Sequence, residues 1–372
     1  MKKVLVVGDF MKGSGLTNYL IDIYKNLPQK DFEVSCLSYS SQHNIDYLLK
    51  ELQWKKYEVT SINKNPFEHF KNWSFFFKSH KNEFDEIHFN YSASWNFFAI
   101  LQAKIKTKSK IIVQSHNNYF SKKPKGIQKV ILSFLNAIGR VVINKCADEK
   151  LAVSIDSSKW MFGSTKTVKI LKNGIDLDKF KYDPEERKRL RKSINIKESQ
   201  KLVGFVGTLE TRKNPRFAIE CIKRLDSKFI LCIFGQGMLE ESLRKKIKDE
   251  NLDKRVKLMG VSDDLNKWYS AFDIFLFPSI TEGFGFALLE AQASGLKCIS
   301  SNSIPDDSKL TDDVLSLDLK SIDIWIKNIK NITVLDNRIN KSNRNCQIIS
   351  QKGYSIESTS MCFKEILGGS SI

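Results

Sequence analysis

Short apolar runs alternate along the whole chain with segments whose apolar residues recur at helical spacing, a pattern that predicts parallel sheets joined by crossover helices. In the first half, strands are predicted at 3–8, 33–38, 57–61, 85–90, 110–115, 150–154 and 168–171. A second series opens abruptly at Leu202–Gly207 and continues through Phe229–Gly235, Val256–Gly260, Asp273–Phe277 and Cys298–Ser300. Between the two series lies Asp183-Pro184-Glu185-Glu186-Arg187-Lys188-Arg189, a charged stretch with proline near a helix start and no apolar run. Two doubly wound α/β domains in tandem are therefore expected, over 1–172 and 173–350. The helical tail at 351–372 is expected to pack back toward the first domain. No internal repeat, heptad run or low-complexity tract interrupts the pattern. In open parallel sheets ligands bind outside the strand C-termini, and the two domains are expected to face a central cleft there.

Composition narrows the class. The chain has 372 residues, 41% hydrophobic and 27% charged, which excludes a disordered chain and a small stapled scaffold. Its seven cysteines contain no C-x-x-C pair and mostly sit in apolar runs, pointing to a reducing cytosol. The N-terminal stretch Lys2–Asp9 is too short for a signal peptide, and no window reaches the roughly 18 apolar residues of a membrane span. A protein neither exported nor integral to a membrane is expected. The net charge of +18 is uneven, since residues 101–150 hold 11 basic against 2 acidic side chains. Such a patch seeks an anionic surface: nucleic acid, an anionic leaflet or a phosphorylated substrate.

The densest candidate chemistry is the run from Ser279 to Gly295, SITEGFGFALLEAQASG, directly after the predicted buried strand ending at Phe277. Strand, glycine turn and helix follow in that order. Gly283 and Gly285 let the backbone approach a ligand, and the amides opening the next helix present unpaired donors to an anion such as a diphosphate. Glu282 precedes the turn and Glu290 lies eight residues on, near the same face. Carboxylates beside a phosphate site bind groups that carry hydroxyls, as sugars and ribose do.

This Glu-x7-Glu run resembles the donor-sugar signature of retaining family 4 glycosyltransferases of GT-B fold, two Rossmann-like domains facing a cleft. The resemblance implies that Glu282 contacts hydroxyls of the transferred sugar, Glu290 those of the ribose, and the backbone of Gly283, Phe284, Gly285 and Phe286 the sugar and its phosphate. KILKNGIDLDKF, with Asn173, is similar to the family's segment opening the second domain; its Asp176-x-Asp178 reads as a turn rather than a metal motif. VGTLETRKNP supplies Lys213 where the family has the lysine that holds the diphosphate. Thr208 stands where an arginine is common, and Arg212 is the candidate substitute, although adjacent residues on a helix-like turn point apart. In the first half, Gly13 and Gly15 form a loop expected to line the cleft, and IIVQSHNN places His116 at a strand end, where the family points a histidine at the reacting sugar.

The implied activity is transfer of a hexose from a nucleotide diphosphate sugar, UDP-sugar favoured, with retention, onto a lipid-linked or oligosaccharide acceptor in bacterial capsule or exopolysaccharide synthesis. Neither a cofactor nor a metal is expected: the diphosphate would be held by Lys213 and helix amides, and no H-E-x-x-H or Cys/His cluster is present. The basic collar Lys122-Lys123-Pro124-Lys125, the apolar segment that follows it and the aromatic cluster Trp73–Phe77 suggest peripheral attachment to the inner, anionic face of the cell membrane. Two alternatives are a sugar-nucleotide epimerase of the same fold and a basic nucleic-acid-binding module. The second leaves the glutamate and glycine run unexplained, and no nucleic-acid partner is expected.

Overall fold

A computed structural model of the chain describes residues 1–40, 44–120, 124, 126–332 and 337–368. It divides into two compact units, 1–174 with 356–372, and 175–355. The chain thus crosses at 174/175 and 355/356, a few residues beyond 172/173 and 350/351. Local pairing accounts for this: Ile175 bridges Ser355, and its N–H donates to the Tyr354 carbonyl at 3.1 Å, so both crossings lie side by side. Asn173 accordingly belongs to the first unit.

The first unit carries β1 (Lys2–Gly8), β2 (Phe32–Ser38), β3 (Lys55–Glu58), β4 (Glu86–Tyr91), β5 (Lys110–Ser115), β6 (Glu149–Ala152) and β7 (Lys169–Ile170). They form one parallel sheet in the order β3-β2-β1-β4-β5-β6-β7. Winding reverses between β1 and β4, which makes their C-terminal ends the ligand crevice. Val4, Leu5, Val6, Val7, Ile87, Phe89, Ile111 and Val113 are fully buried, as continuous apolar strands covered on both faces must be. The C-terminal helix Ile356–Ile366 belongs to this unit: Ser360 Oγ donates to the Ile23 carbonyl at 3.1 Å, and the Phe363 ring lies 5.3 Å from that of Tyr24 and 5.0 Å from that of His88.

The second unit carries β8 (Lys201–Val206), β9 (Phe229–Phe234), β10 (Val256–Gly260), β11 (Ile274–Phe277), β12 (Lys297–Ser301) and β13 (Val314–Leu317). Their order is β10-β9-β8-β11-β12-β13, all parallel, with the switch between β8 and β11. The edge strand β13 was not expected from the pattern. It has four residues, Val-Leu-Ser-Leu, none fully buried, a run too short to mark a strand by itself; pairing with β12 makes it one.

One helix departs from the sequence reading. Gly126–Cys146 contains an 18-residue window of mean hydropathy 1.4 and is long and apolar enough to cross a membrane, although only 17% of that window is buried. Lys129, Asn136 and Arg140 break the apolar run by eye without lowering its average far. The helix docks through a mixed face of Asn136, Gly139, Ile143 and Cys146, the last two joining the hydrophobic core. Asn136 Oδ1 accepts from the Ser94 N–H at 2.9 Å, and a Cβ on Gly139 would stand 1.9 Å from the Ser94 carbonyl oxygen. Ile127, Val130, Ile131, Phe134, Ile138 and Val141 point away from the unit and are exposed, the reverse of an ordinary amphipathic helix. Lys122, Lys123 and Lys125 of the expected basic collar lie outside the described residues.

Candidate functional site

The second unit's site is built on the loops that leave β8 and β11 at the winding switch. After β8 the chain runs through Gly207 and a turn that ends at Asn214 in the left-handed conformation, before Pro215 opens the next helix. After β11 it runs from Pro278 to Gly285, where φ is +104° and a Cβ would stand 3.2 Å from the Phe277 ring, a combination that suits only glycine. The loops are tied by the Ile280 N–H donating to the Arg212 carbonyl at 2.8 Å.

This arrangement puts three expected site residues together. Glu282 is only 5% exposed and accepts from Arg212 Nη1 at 2.9 Å on one oxygen and from Lys213 Nζ at 2.6 Å on the other. Arg212 and Lys213 therefore do converge, contrary to the expectation that neighbours on a helix-like turn point apart. The turn is a single one, the Lys213 and Asn214 N–H groups both donating to the Glu210 carbonyl, and the left-handed Asn214 closes it. Burial pushes the Lys213 ammonium below the ordinary lysine range, while Glu282 pulls it back up. Its Nζ also lies 5.2 Å from the centre of the Phe277 ring, a cation–π contact.

Glu290 stands elsewhere. The helix Phe286–Ala293 starts only after Glu282, so the two carboxylates do not share a helix face as the spacing suggested. Glu290 Oε2 accepts from the Tyr269 hydroxyl at 2.6 Å, on the neighbouring helix Leu265–Ala271. Burial, and then Glu290 itself, raise the Tyr269 phenol well above its ordinary range, so it stays a donor. Gly285 caps the helix Phe286–Ala293 without any side-chain hydrogen bond, and its carbonyl accepts from the Leu288 N–H at 2.9 Å. Gly283, Phe284 and Phe286 lie on this turn, where Phe284 is buried against Phe286 and Tyr354.

Some participants had no signal in the sequence. Tyr269 is one, because its partner lies 21 positions away across two helices. Thr208 Oγ1 and Ser279 Oγ, one on each loop, are buried with no hydrogen-bond partner among the described residues. The Asp176-x-Asp178 pair is spoken for: Asp176 caps a short helix by accepting from the Lys179 N–H, and Asp178 pairs with Lys181. Among the described residues no group of three His, Cys, Asp or Glu is placed to hold a metal.

In the first unit, the candidate residues lie at the C-terminal ends of β1, β4 and β5. Gly13 takes φ +79°, and Ser14 caps the helix Gly15–Lys25. Asp9 accepts from Ser14 Oγ at 2.8 Å and Thr17 Oγ1 at 2.9 Å, and burial raises its carboxyl despite those bonds. The glycine loop is thus pinned from beneath. His116 Nε2 lies 2.8 Å from Asn90 Oδ1, and its ring meets Tyr19 edge-on at 5.6 Å. Asn90 Nδ2 donates to the Val7 and His88 carbonyls, so its oxygen must accept; Nε2 carries the proton and Nδ1 is left as an acceptor. Burial lowers His116 to about 3, which keeps it neutral. Asn173 is buried, and its side-chain oxygen has no partner among the described residues.

The two sheets, each wound about its own switch point, are those of GT-B glycosyltransferases. The Anabaena protein Alr3699/HepE in complex with UDP-glucose matches with a TM-score of 0.79, at 16% identity, over 99% of this chain and 100% of that one. The lipopolysaccharide-biosynthesis glycosyltransferase WaaG matches at 0.74 and 16% identity, over 99% and 100%. Residues 186–313, which hold the Arg212–Glu282–Lys213 cluster and Glu290, match the family Glycosyl transferases group 1. The second unit thus carries a Glycosyl transferases group 1 domain. Relatives include the UDP-Gal:alpha-D-GlcNAc-diphosphoundecaprenol alpha-1,3-galactosyltransferase of Escherichia coli, 24% identical over 92% of this chain and 90% of its own. Another is the putative glycosyltransferase EpsF of Bacillus subtilis, 25% identical over 82% and 80%.

Proposed function

We propose that this protein moves a hexose from a nucleotide diphosphate sugar, with UDP as the favoured nucleotide, to a lipid-linked acceptor during assembly of a bacterial surface polysaccharide, capsule included. The observation that carries the reading is the cluster of Arg212, Lys213 and Glu282 beside a glycine-opened helix without a side-chain cap. Two cations beside the N-terminal end of a helix suit a diphosphate leaving group, whose growing charge they would stabilise without a divalent metal. Glu282 and Glu290 offer carboxylates to sugar and ribose hydroxyls. No carboxylate is placed as an evident covalent nucleophile, so transfer with retention would run on the front face, with the departing phosphate helping to deprotonate the acceptor hydroxyl. Neutral His116, with Nδ1 as acceptor, would orient a hydroxyl rather than attack. The E. coli relative named above, a transferase acting on a diphosphoundecaprenol-linked sugar, supports the donor and acceptor classes. The matched family and the named relatives are transferases, and nothing favours the epimerase alternative.

The exposed apolar side of the helix Gly126–Cys146, together with exposed Phe67 and Phe75, supports peripheral attachment to the cytoplasmic face of the membrane, where such an acceptor is held. Thermal-shift titration against UDP-, GDP- and ADP-sugars tests the donor. A ligand at 100 times its Kd adds about 2.7 kcal/mol to stability, so the true donor stands out. Transfer from that donor to a polyprenyl-diphosphate-linked sugar, with the anomeric configuration of the product read by NMR, tests the rest. An inverted product would refute retention, and no stabilisation by any nucleotide sugar would refute the donor class.

A further inference from the structure

We infer that Glu282 is an internal counter-ion standing in for the donor's diphosphate, and that Arg212 and Lys213 are exchanged between the carboxylate and the diphosphate when the donor enters. The inference rests on the functional reading above. Three observations carry it. First, both carboxylate oxygens are taken, each by a different cation, at 2.9 and 2.6 Å. A carboxylate meant only to receive sugar hydroxyls would not need two cations, and two cations meant for a diphosphate would repel each other in a buried loop without an anion between them. Second, the cluster is well buried: side-chain exposure is 5% for Glu282, 13% for Lys213 and 23% for Arg212. An unbalanced charge there is expensive, so the donor-free protein must supply its own anion. Third, Arg212 and Glu282 belong to loops joined by the Ile280 to Arg212 backbone hydrogen bond, so the cluster is preassembled rather than gathered by the ligand.

Arg212 then takes the part of the second phosphate-holding cation that Thr208 cannot supply. Glu282 does two jobs in sequence: it neutralises the cations in the resting protein and turns to the sugar once the diphosphate has taken them. Free nucleotide diphosphate binds in competition with Glu282. The carboxylate lowers affinity for the bare nucleotide, and its contact with the sugar favours the intact donor.

Calorimetric titration of the full-length protein with UDP, and separately with inorganic diphosphate, tests this. Glu282→Gln should bind both anions at least about threefold more tightly than wild type, because the competing charge is gone. Arg212→Gln should bind them about tenfold or more weakly, by loss of a charge-assisted hydrogen bond. Should Glu282→Gln fail to fold with its two cations unbalanced, Arg212→Gln/Glu282→Gln, which removes one charge of each sign, must bind both anions more tightly than Arg212→Gln alone. A carboxylate that only supports the loop would give the opposite sign. Unchanged or weaker anion binding in Glu282→Gln, or no recovery in the double variant, overturns the exchange while leaving the donor reading intact. Wild-type protein that binds neither anion overturns both.

Discussion

The hydroxyl of Tyr269 donates to Glu290 Oε2 at 2.6 Å and joins two helices of the second unit. Tyr269 is fully buried, and its ring packs against Phe180, Phe272 and Phe275, so the hydroxyl has little freedom and fixes the direction of the carboxylate. If Glu290 holds the ribose, Glu290→Gln should weaken binding of free UDP about tenfold to a hundredfold, the worth of a hydrogen bond to a charged group. Tyr269→Phe should weaken it by a smaller factor, with its ring packing kept. Calorimetry on both variants checks the order; a larger loss in Tyr269→Phe would mean that the tyrosine, not the glutamate, meets the nucleotide.

Lys213 is the cation nearest Phe277 and the more buried of the pair. Lys213→Ala should lower the transfer rate roughly 100-fold or more, by analogy with removing one donor to a developing oxyanion. Chelator should leave the wild-type rate nearly intact. Steady-state kinetics with and without chelator decide this, and a rate abolished by chelator and restored by magnesium would show that a metal holds the diphosphate.

If the protein attaches to a membrane as proposed, the outward face of the helix Gly126–Cys146 is where it does so. Ile131→Glu with Phe134→Glu should reduce partition onto vesicles of mixed anionic lipid by at least tenfold, since two apolar side chains leave the interface and two negative charges face an anionic surface. Changing Lys122, Lys123 and Lys125 to Glu should also release the protein, because each basic residue near such a surface contributes about 1 kcal/mol, and wild-type binding should fall with salt. Vesicle sedimentation reads all of these.

Gly139 sets how that helix docks. A Cβ there would meet the Ser94 carbonyl oxygen at 1.9 Å, and backbone cannot give way as a side chain can. Gly139→Ala should destabilise the first unit by about 1–3 kcal/mol, the usual range for overpacking, despite the better helix propensity of alanine. A raised melting temperature would contradict the close approach.

Acid should loosen the first unit before carboxylates titrate. His88 is fully buried, its Nδ1 bonded to the Tyr24 hydroxyl at 3.0 Å, and burial, followed by the repulsion its imidazolium would meet from that of His116, lowers it to about 3 from 6.5. A folded value below the unfolded one means that the unfolded chain binds more protons between those limits. Stability is therefore full above about pH 6.5 and falls as pH drops toward 3, by at most about 1.4 kcal/mol per pH unit for this one group. Unfolding in denaturant at stepped pH should show that slope. His88→Gln should reduce it, with His116, lowered as far, supplying part of what remains, and an unaltered slope would place the proton elsewhere.

The alternation of apolar runs with helical spacing determined most strands, because a parallel strand covered on both faces must be apolar throughout; the edge strands escape this rule, β13 being too short to stand out and β3, Lys-Lys-Tyr-Glu, lying at 55–58 rather than 57–61. The sequence also determined the composition of the site, since Glu282, the glycines after it and Lys213 lie within local motifs whose turn chemistry is set by neighbouring residues. Which of them meet was decided by tertiary structure. Arg212 and Lys213 converge on a carboxylate about seventy positions away because winding reverses between β8 and β11 and brings their loops together. The same holds for Tyr269 with Glu290, and for His116 with Asn90 across β4 and β5. The exposed apolar side of Gly126–Cys146 was beyond sequence as well: periodicity shows that a helix has apolar positions but not which of them its neighbours cover, and here a face of Asn136, Gly139, Ile143 and Cys146 makes the contact.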